Sequence, residues 1–576
     1  MANQNSMPTY FRKSAMALFA FIIALQACET DSSKPLSYTI QKSNWDTLPA
    51  LNVKVSFKPD PSGTTLLRYP DNAWGQDSLW NAVKDVHLTI GEGRLEFNRD
   101  SAWVAIRHEP EASGMFEVAY KLIQDKAASG VRSDLTYRPI IQPDYFHVFA
   151  HNLLMVPGHY RETSDSTLQA RLKWVGWAPE EQIHNSFGTG RLVQEIGPIP
   201  MDRFMSAIYT GGDFEVFTDT LEGNALHLAI RGDWVPFQKT EVMDLLTKTV
   251  RVQRDFWRDH SQSYFTVIMR PINQKQGSSF QGTGLTNSFA CSISNNENTE
   301  LEQLVYLFNH ELMHNWIGYA IQNEEEETQY WFSEGFTEYY TAKNIAANGI
   351  AGYGWGYYMG KINEKVRLLA GSPVREAPNS DINYENFWSN PEYNWLPYHR
   401  GALFAFYLDQ RIRAHSHGTN SLDDLMRDLL EEVRRSGTRL NGELLVRLAN
   451  PYLGADLQPD FDRYIEKGEM LPLGDLCREL GLEYSVGADL FDLGFAFTGD
   501  RANVQSVDAA SEAYRAGLRE GDALMSYSIQ TDVPEKQVEL KILRDGREIP
   551  ISYYPRKRID IVQLEDSPAN RDKFGG

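Results

Sequence analysis

The sequence predicts a multidomain α+β protein, and three observations carry that expectation. At 576 residues the chain exceeds what one compact core organises. From about Ser37 to Asp213, short runs of alternating apolar and polar residues are broken by frequent turn residues. After Gly232-Asp233 the apolar spacing becomes helical, and beyond Leu493 it returns to strands. The expected division is therefore 1–27 a signal peptide, 28–36 a tether, 37–222 a β-rich domain and 223–484 a mixed, largely helical domain. A strand-rich module at 485–560 and a tail at 561–576 complete it.

Arg12 and Lys13 precede an apolar run from Ala15 to Leu25, too short to span a bilayer but suited to the core of a signal peptide. The run ends in Leu25-Gln26-Ala27-Cys28, which resembles a bacterial lipoprotein signal in which Cys28 becomes the lipidated first residue. That reading implies export and anchoring to a bacterial membrane, periplasmic or at the cell surface. Simple cleavage and a retained anchor are the alternatives. Residues 29–35 are polar and suit a tether. With Cys28 lipidated, Cys291 and Cys477 remain, which read as two buried thiols without a disulfide framework.

Leu51–Phe57, Val86–Ile90, Trp103–Ile106 and Phe116–Tyr120 read as strands of the β-rich domain. Thr240 to Trp257 has helical spacing, and Tyr264–Met269 reads as a buried strand. Thr299 and Glu302 have capping-box spacing and open a helix through Leu304, Leu307 and Phe308. Helices are expected from there to about Leu482. Val538–Leu543, Asp545-Gly546 and Glu548–Tyr553 form a hairpin by their turn chemistry.

Hydrophobic residues at 42% and aromatics at 12% are those of a folded protein with cores. The formal charge of −21 and the lack of any basic stripe exclude nucleic acid as a partner.

His310-Glu311-Leu312-Met313-His314 is the segment with chemistry in it. On a helix, residues four apart share a face, so both imidazoles can reach one ion while Glu311 points beside it. Zinc takes neutral nitrogen and carboxylate ligands, and a catalytic site keeps one position open. The motif alone also fits a surface helix with two unrelated histidines. A third ligand must come from elsewhere, and Trp331-Phe332-Ser333-Glu334-Gly335-Phe336-Thr337-Glu338-Tyr339-Tyr340 offers an acid in a helix-like aromatic run. Glu338, one turn beyond Glu334, either hydrogen-bonds a ligand histidine or is a solvated helix acid.

HELMHNW followed by WFSEGFTEYY resembles the gluzincin metallopeptidases, the group containing the aminopeptidase N and glycyl aminopeptidase families. The resemblance implies a thermolysin-like catalytic domain with a helical lobe over 223–484. It also implies one zinc per chain on His310, His314 and Glu334, with Glu311 as general base. Nineteen residues separate His314 from Glu334, one more than is usual in the aminopeptidase N family and fewer than in most glycyl aminopeptidases. Pro397-Tyr398-His399-Arg400-Gly401-Ala402 resembles the tyrosine segment of both families, whose hydroxyl steadies the oxyanion, so Tyr398 inherits that role. Otherwise Tyr398 is a core tyrosine. Ile230–Trp234, Ser421–Met426 and Phe461–Ile465 look like glycyl aminopeptidase segments. The end of the chain resembles a PDZ domain, with Leu493-Gly494-Phe495 as its carboxylate loop and Arg515 to Asp522 as its most recognisable turn.

One departure bears on specificity. Gly284, Leu285, Thr286 and Asn287 stand where these families bind the substrate, and their amine-binding glutamate falls on Thr286. A hydroxyl does not replace a carboxylate facing an ammonium group, so endopeptidase or dipeptidase-like action competes with the aminopeptidase reading. A third expectation is a non-catalytic surface protein that binds partners through the PDZ-like end. Glu324-Glu325-Glu326-Glu327 is either a solvated loop or an acidic rim. The expected partners are a peptide or protein substrate and the membrane holding the lipid. The PDZ-like module is expected to bind a peptide terminus or to pack on the catalytic domain.

Overall fold

The computed structural model describes residues 36–575 apart from 100–101, 127–136, 161–166, 179, 275–276 and 532. The predicted signal peptide, Cys28 and the tether up to residue 35 lie outside the described residues. No helix among the described residues is long and apolar enough to cross a membrane.

The chain divides into two compact units, meeting between Phe214 and Glu215. The first is built on a six-stranded sheet in which Leu36–Trp45 pairs antiparallel with Leu48–Phe57 and parallel with Thr167–Val175. Alternate residues of the first pair, among them Leu36, Ile40, Val53 and Val55, are fully buried, as the period of two requires. A four-stranded and a five-stranded sheet complete this unit. All four strands expected there lie within observed strands.

Labels here count from the second unit, which opens with a five-stranded sheet. Its strands are β1 (Phe214–Leu221), β2 (Asn224–Arg231), β3 (Tyr264–Ile272), β4 (Phe280–Leu285) and β5 (Ser288–Ser294), in the order β1-β2-β3-β5-β4. The expected boundary at 222/223 is corrected: Glu222 and Gly223 are the positive-φ turn between β1 and β2, two strands of one sheet. Helix α1 (Lys239–Trp257) packs Val242, Leu246 and Val250 into the core beneath that sheet. Helix α2 (Leu301–Met313) starts one residue later than the capping-box spacing indicates. Glu300 and Gln303 form the box, because the Thr299 hydroxyl is spent on the Ser294 carbonyl at 2.7 Å.

The helical part follows as α3 (Gly335–Ala347), α4 (Trp355–Gly371), α5 (Tyr384–Ser389), α6 (Pro391–His415) and α7 (Leu422–Ser436). Helices α3 and α6 cross at two glycines. A Cβ on Gly401 would stand 1.9 Å from the Trp331 carbonyl oxygen, and one on Gly335 would stand 2.4 Å from the Gly401 Cα. Only hydrogen fits at either position, so the backbones touch there.

Strands resume at β6 (Tyr484–Phe491), earlier than the sequence indicates, because β6 finds its antiparallel partner in β7 (Arg556–Leu564) far along the chain. Between them, the predicted hairpin is present as Val538–Arg544 paired with Arg547–Tyr553, its turn made by Asp545 and Gly546 at positive φ. The expected tail at 561–576 is also corrected. It is the end of β7 followed by α8 (Pro568–Gly575), and Leu564 and Phe574 are buried in the helical core. Asn363 of α4 clasps the Leu564 backbone, donating to its carbonyl at 2.9 Å and accepting from its N–H at 2.7 Å.

Candidate metal centre

Helix α2 ends at Met313, so His310 lies in its last turn and His314 caps it. Their Nε2 atoms stand 3.2 Å apart. Glu334, at the start of α3, brings Oε2 within 3.4 Å of the His310 Nε2 and 3.7 Å of the His314 Nε2. Zinc bonded at 2.0–2.1 Å in tetrahedral geometry separates its ligand atoms by about 3.3 Å. The spacing therefore fits one small divalent ion, and the donor set of two imidazoles and a carboxylate fits zinc. A second His–acid group, Glu222, Asp255 and His260, is largely exposed, and both its ring nitrogens already face carboxylates, at 3.0 and 3.5 Å.

Each imidazole is held from behind. His314 Nδ1 lies 3.0 Å from the Ile317 carbonyl, which directs Nε2 inward. His310 Nδ1 lies 3.0 Å from Glu338 Oε1, at an angle short of a well-directed hydrogen bond. Glu338 is buried, not solvated, and its other oxygen takes the Tyr306 hydroxyl and the Lys365 ammonium. Burial works against the charge of Glu338, yet Lys365 and His310 hold its carboxyl well below the ordinary range. Burial likewise pulls His310 down, but Glu334 and Glu338 outweigh it and raise the metal-free imidazole to about 10. The carboxylates of Glu334 and Glu338 against one buried imidazole leave negative charge that a divalent cation would neutralise.

Glu311 points beside the ligands, and burial pushes its carboxyl up from the ordinary value despite both histidines. Tyr398 reaches the same centre from α6. Its ring stacks on that of His310, with centroids 6.3 Å apart and planes 11° apart. Its hydroxyl contacts Glu334, and burial followed by the neighbouring carboxylates keeps the phenol well above its usual range. The glycine crossing explains the approach: Tyr398 precedes Gly401 by one turn, and Glu334 immediately precedes Gly335.

The predicted substrate segment lies on the edge strand β4 and the turn after it. Gly282, outside the predicted substrate residues, lies near Glu311: a Cβ there would stand 3.6 Å from Glu311 Oε1. Gly284 lies on the same face, and nothing within 4 Å would meet a Cβ there. Leu285 is buried against the sheet, and buried Thr286 with positive-φ Asn287 forms the turn into β5. Of the acidic run, Glu324 accepts from Asn441 at 2.7 Å, whereas Glu326 accepts from Ser333 at 3.3 Å, next to Glu334. Cys291 and Cys477 are buried and free. Lys365 and Tyr306 carried no sequence signal, since neither stands in a motif.

No family model matches the sequence, and neither does any curated protein. Among solved structures, the chain is similar to an aminopeptidase N family protein from Idiomarina loihiensis. The TM-score is 0.71 at 16% identity, over 94% of this chain and 99% of that one. The two share a fold. An M1 zinc metallopeptidase from Deinococcus radiodurans is similar over 76% of this chain and 94% of that one, at 15% identity and a TM-score of 0.48.

Proposed function

We propose that this chain hydrolyses peptide bonds with one zinc ion, as a gluzincin metallopeptidase of the glycyl aminopeptidase type. The observation that supports it best is the tetrahedral spacing of His310, His314 and Glu334, with Glu311 and Tyr398 beside them. When bound, zinc supplies a Lewis acid that polarises a carbonyl and makes water a nucleophile near neutral pH. Glu311 takes the water's proton and returns it to the leaving amine, a task suited to a carboxyl already raised by burial. Tyr398, kept protonated by its surroundings, donates its hydroxyl to the developing oxyanion. Glu338 fixes the His310 ring. The edge strand β4 receives the peptide backbone at Gly284 and Leu285, with Asn287 at its turn.

The expected result for Glu311→Gln is a loss of about 10²–10⁴ in turnover with zinc content unchanged. Full activity in that variant would refute the mechanism. Thr286 favours a second reading, endopeptidase or dipeptidase-like action, since the families' amine-binding glutamate falls on this hydroxyl residue in the sequence. Peptides with free and with acetylated amino ends separate the two: an aminopeptidase cleaves only the former.

In our reading the C-terminal module is PDZ-like and braces the catalytic domain in preference to capturing a peptide terminus. Its candidate carboxylate loop supports this, because Asp492 already accepts from the Gly494 N–H at 2.9 Å and would repel an incoming carboxylate. A C-terminal peptide library that bound the module would overturn it. Lipidation at Cys28 and export complete the proposal. The protein should partition with membranes, and Cys28→Ala should release it.

A further inference from the structure

Trp395 lies one helical turn before Tyr398 on α6, with its ring centroid 5.1 Å from that of Tyr398. Tyr398 in turn stacks on His310, so one aromatic ring links the indole to the ligand set. Phe404, Phe406 and Tyr407 of the same helix are buried, yet Trp395 is 51% exposed. One face is fixed by a parallel stack on His399, with centroids 6.1 Å and planes 6° apart. The indole is therefore held in a set orientation beside Tyr398 with apolar surface uncovered. Across from the base, Gly284 leaves open space. Beyond the carboxylates and imidazoles of the centre, Trp395 thus offers an apolar surface that the described residues leave half exposed.

We propose that Trp395 determines specificity: its exposed face forms the subsite for a large apolar or aromatic side chain on the substrate residue flanking the scissile bond. This rests on the peptidase reading and names its substrate class. An aromatic side chain gains both from burial and from an offset or edge contact with the indole, and a methyl group gains little.

The test uses full-length, zinc-loaded protein and two peptide series, varying Phe, Leu, Ala and Glu on either side of the cleaved bond. The wild type is expected to favour Phe over Ala by about tenfold or more on one side. Trp395→Ala should collapse that ratio, and Trp395→Phe should restore most of it. Trp388→Ala, which removes a 61% exposed indole on α5, should leave the ratio intact. An unchanged ratio in Trp395→Ala would overturn the subsite. So would a uniform loss on all peptides, which would mean that Trp395 only supports Tyr398. Calorimetry with phenylalanine and alanine hydroxamates reads binding without turnover. If neither binds the zinc-loaded protein, the peptidase reading falls and the subsite with it. If both bind, and Trp395→Ala leaves the affinity of each unchanged, the subsite alone falls.

Discussion

At the scale of single residues, the candidate metal centre is ordered by groups outside its three candidate ligands. Glu338 divides its two oxygens, one toward His310 and the other toward Tyr306 and Lys365. Glu338→Gln keeps the shape but removes the charge that orients the ring, so zinc affinity should fall about 10- to 100-fold, measured by competition with a chelating dye. His399 offers a pH prediction. Burial first, then Lys365 of α4, lowers its imidazole to about 3, against the weaker opposing pull of Glu338 of α3. The unfolded chain therefore binds a proton near pH 6.5 that the folded chain refuses. That stability is present above about pH 6.5 and is lost as the pH falls toward 3, at up to about 1.4 kcal/mol per unit. Denaturant titrations of the wild type and His399→Gln at pH 7 and pH 5 should differ by this slope.

At the scale of elements, the meeting of α3 and α6 decides whether the centre exists. Gly401→Ala puts a methyl 1.9 Å from a backbone oxygen that has no room to retreat. The expected cost is about 1–3 kcal/mol or more, seen as a lower melting temperature, with Tyr398 drawn away from Glu334. Strong periodicity made α1 and the strands of the first unit legible in the sequence, and two short motifs contained the three residues that the fold brings together, His310, His314 and Glu334. What stayed hidden was non-local. The Glu300–Gln303 cap lost out in the sequence to the equally plausible Thr299–Glu302 pair, which only the Ser294 contact excludes. The Lys365–Glu338 contact joins two helices that no spacing rule relates. Strand β6 is interrupted by Gly487 at positive φ and is recognisable only through β7.

At the scale of the whole molecule, the C-terminal residues are part of the helical core. Phe574 is 5% exposed and packs against Trp355 and Tyr358 of α4, at centroid distances of 6.4 and 5.3 Å. Phe574→Ala should cost about 3–5 kcal/mol, measured as earlier unfolding in denaturant. The matching loss in Trp355→Ala would identify the contact as its source.

The clasp between Asn363 and Leu564 spans 201 positions of sequence. During synthesis the helix that presents Lys365 is made long before the strand that clasps it, so part of its flank has no cover until that strand emerges. The ribosome thus makes that helix well before the strand that encloses it, and a product that stops between the two inherits the motif without the enclosure.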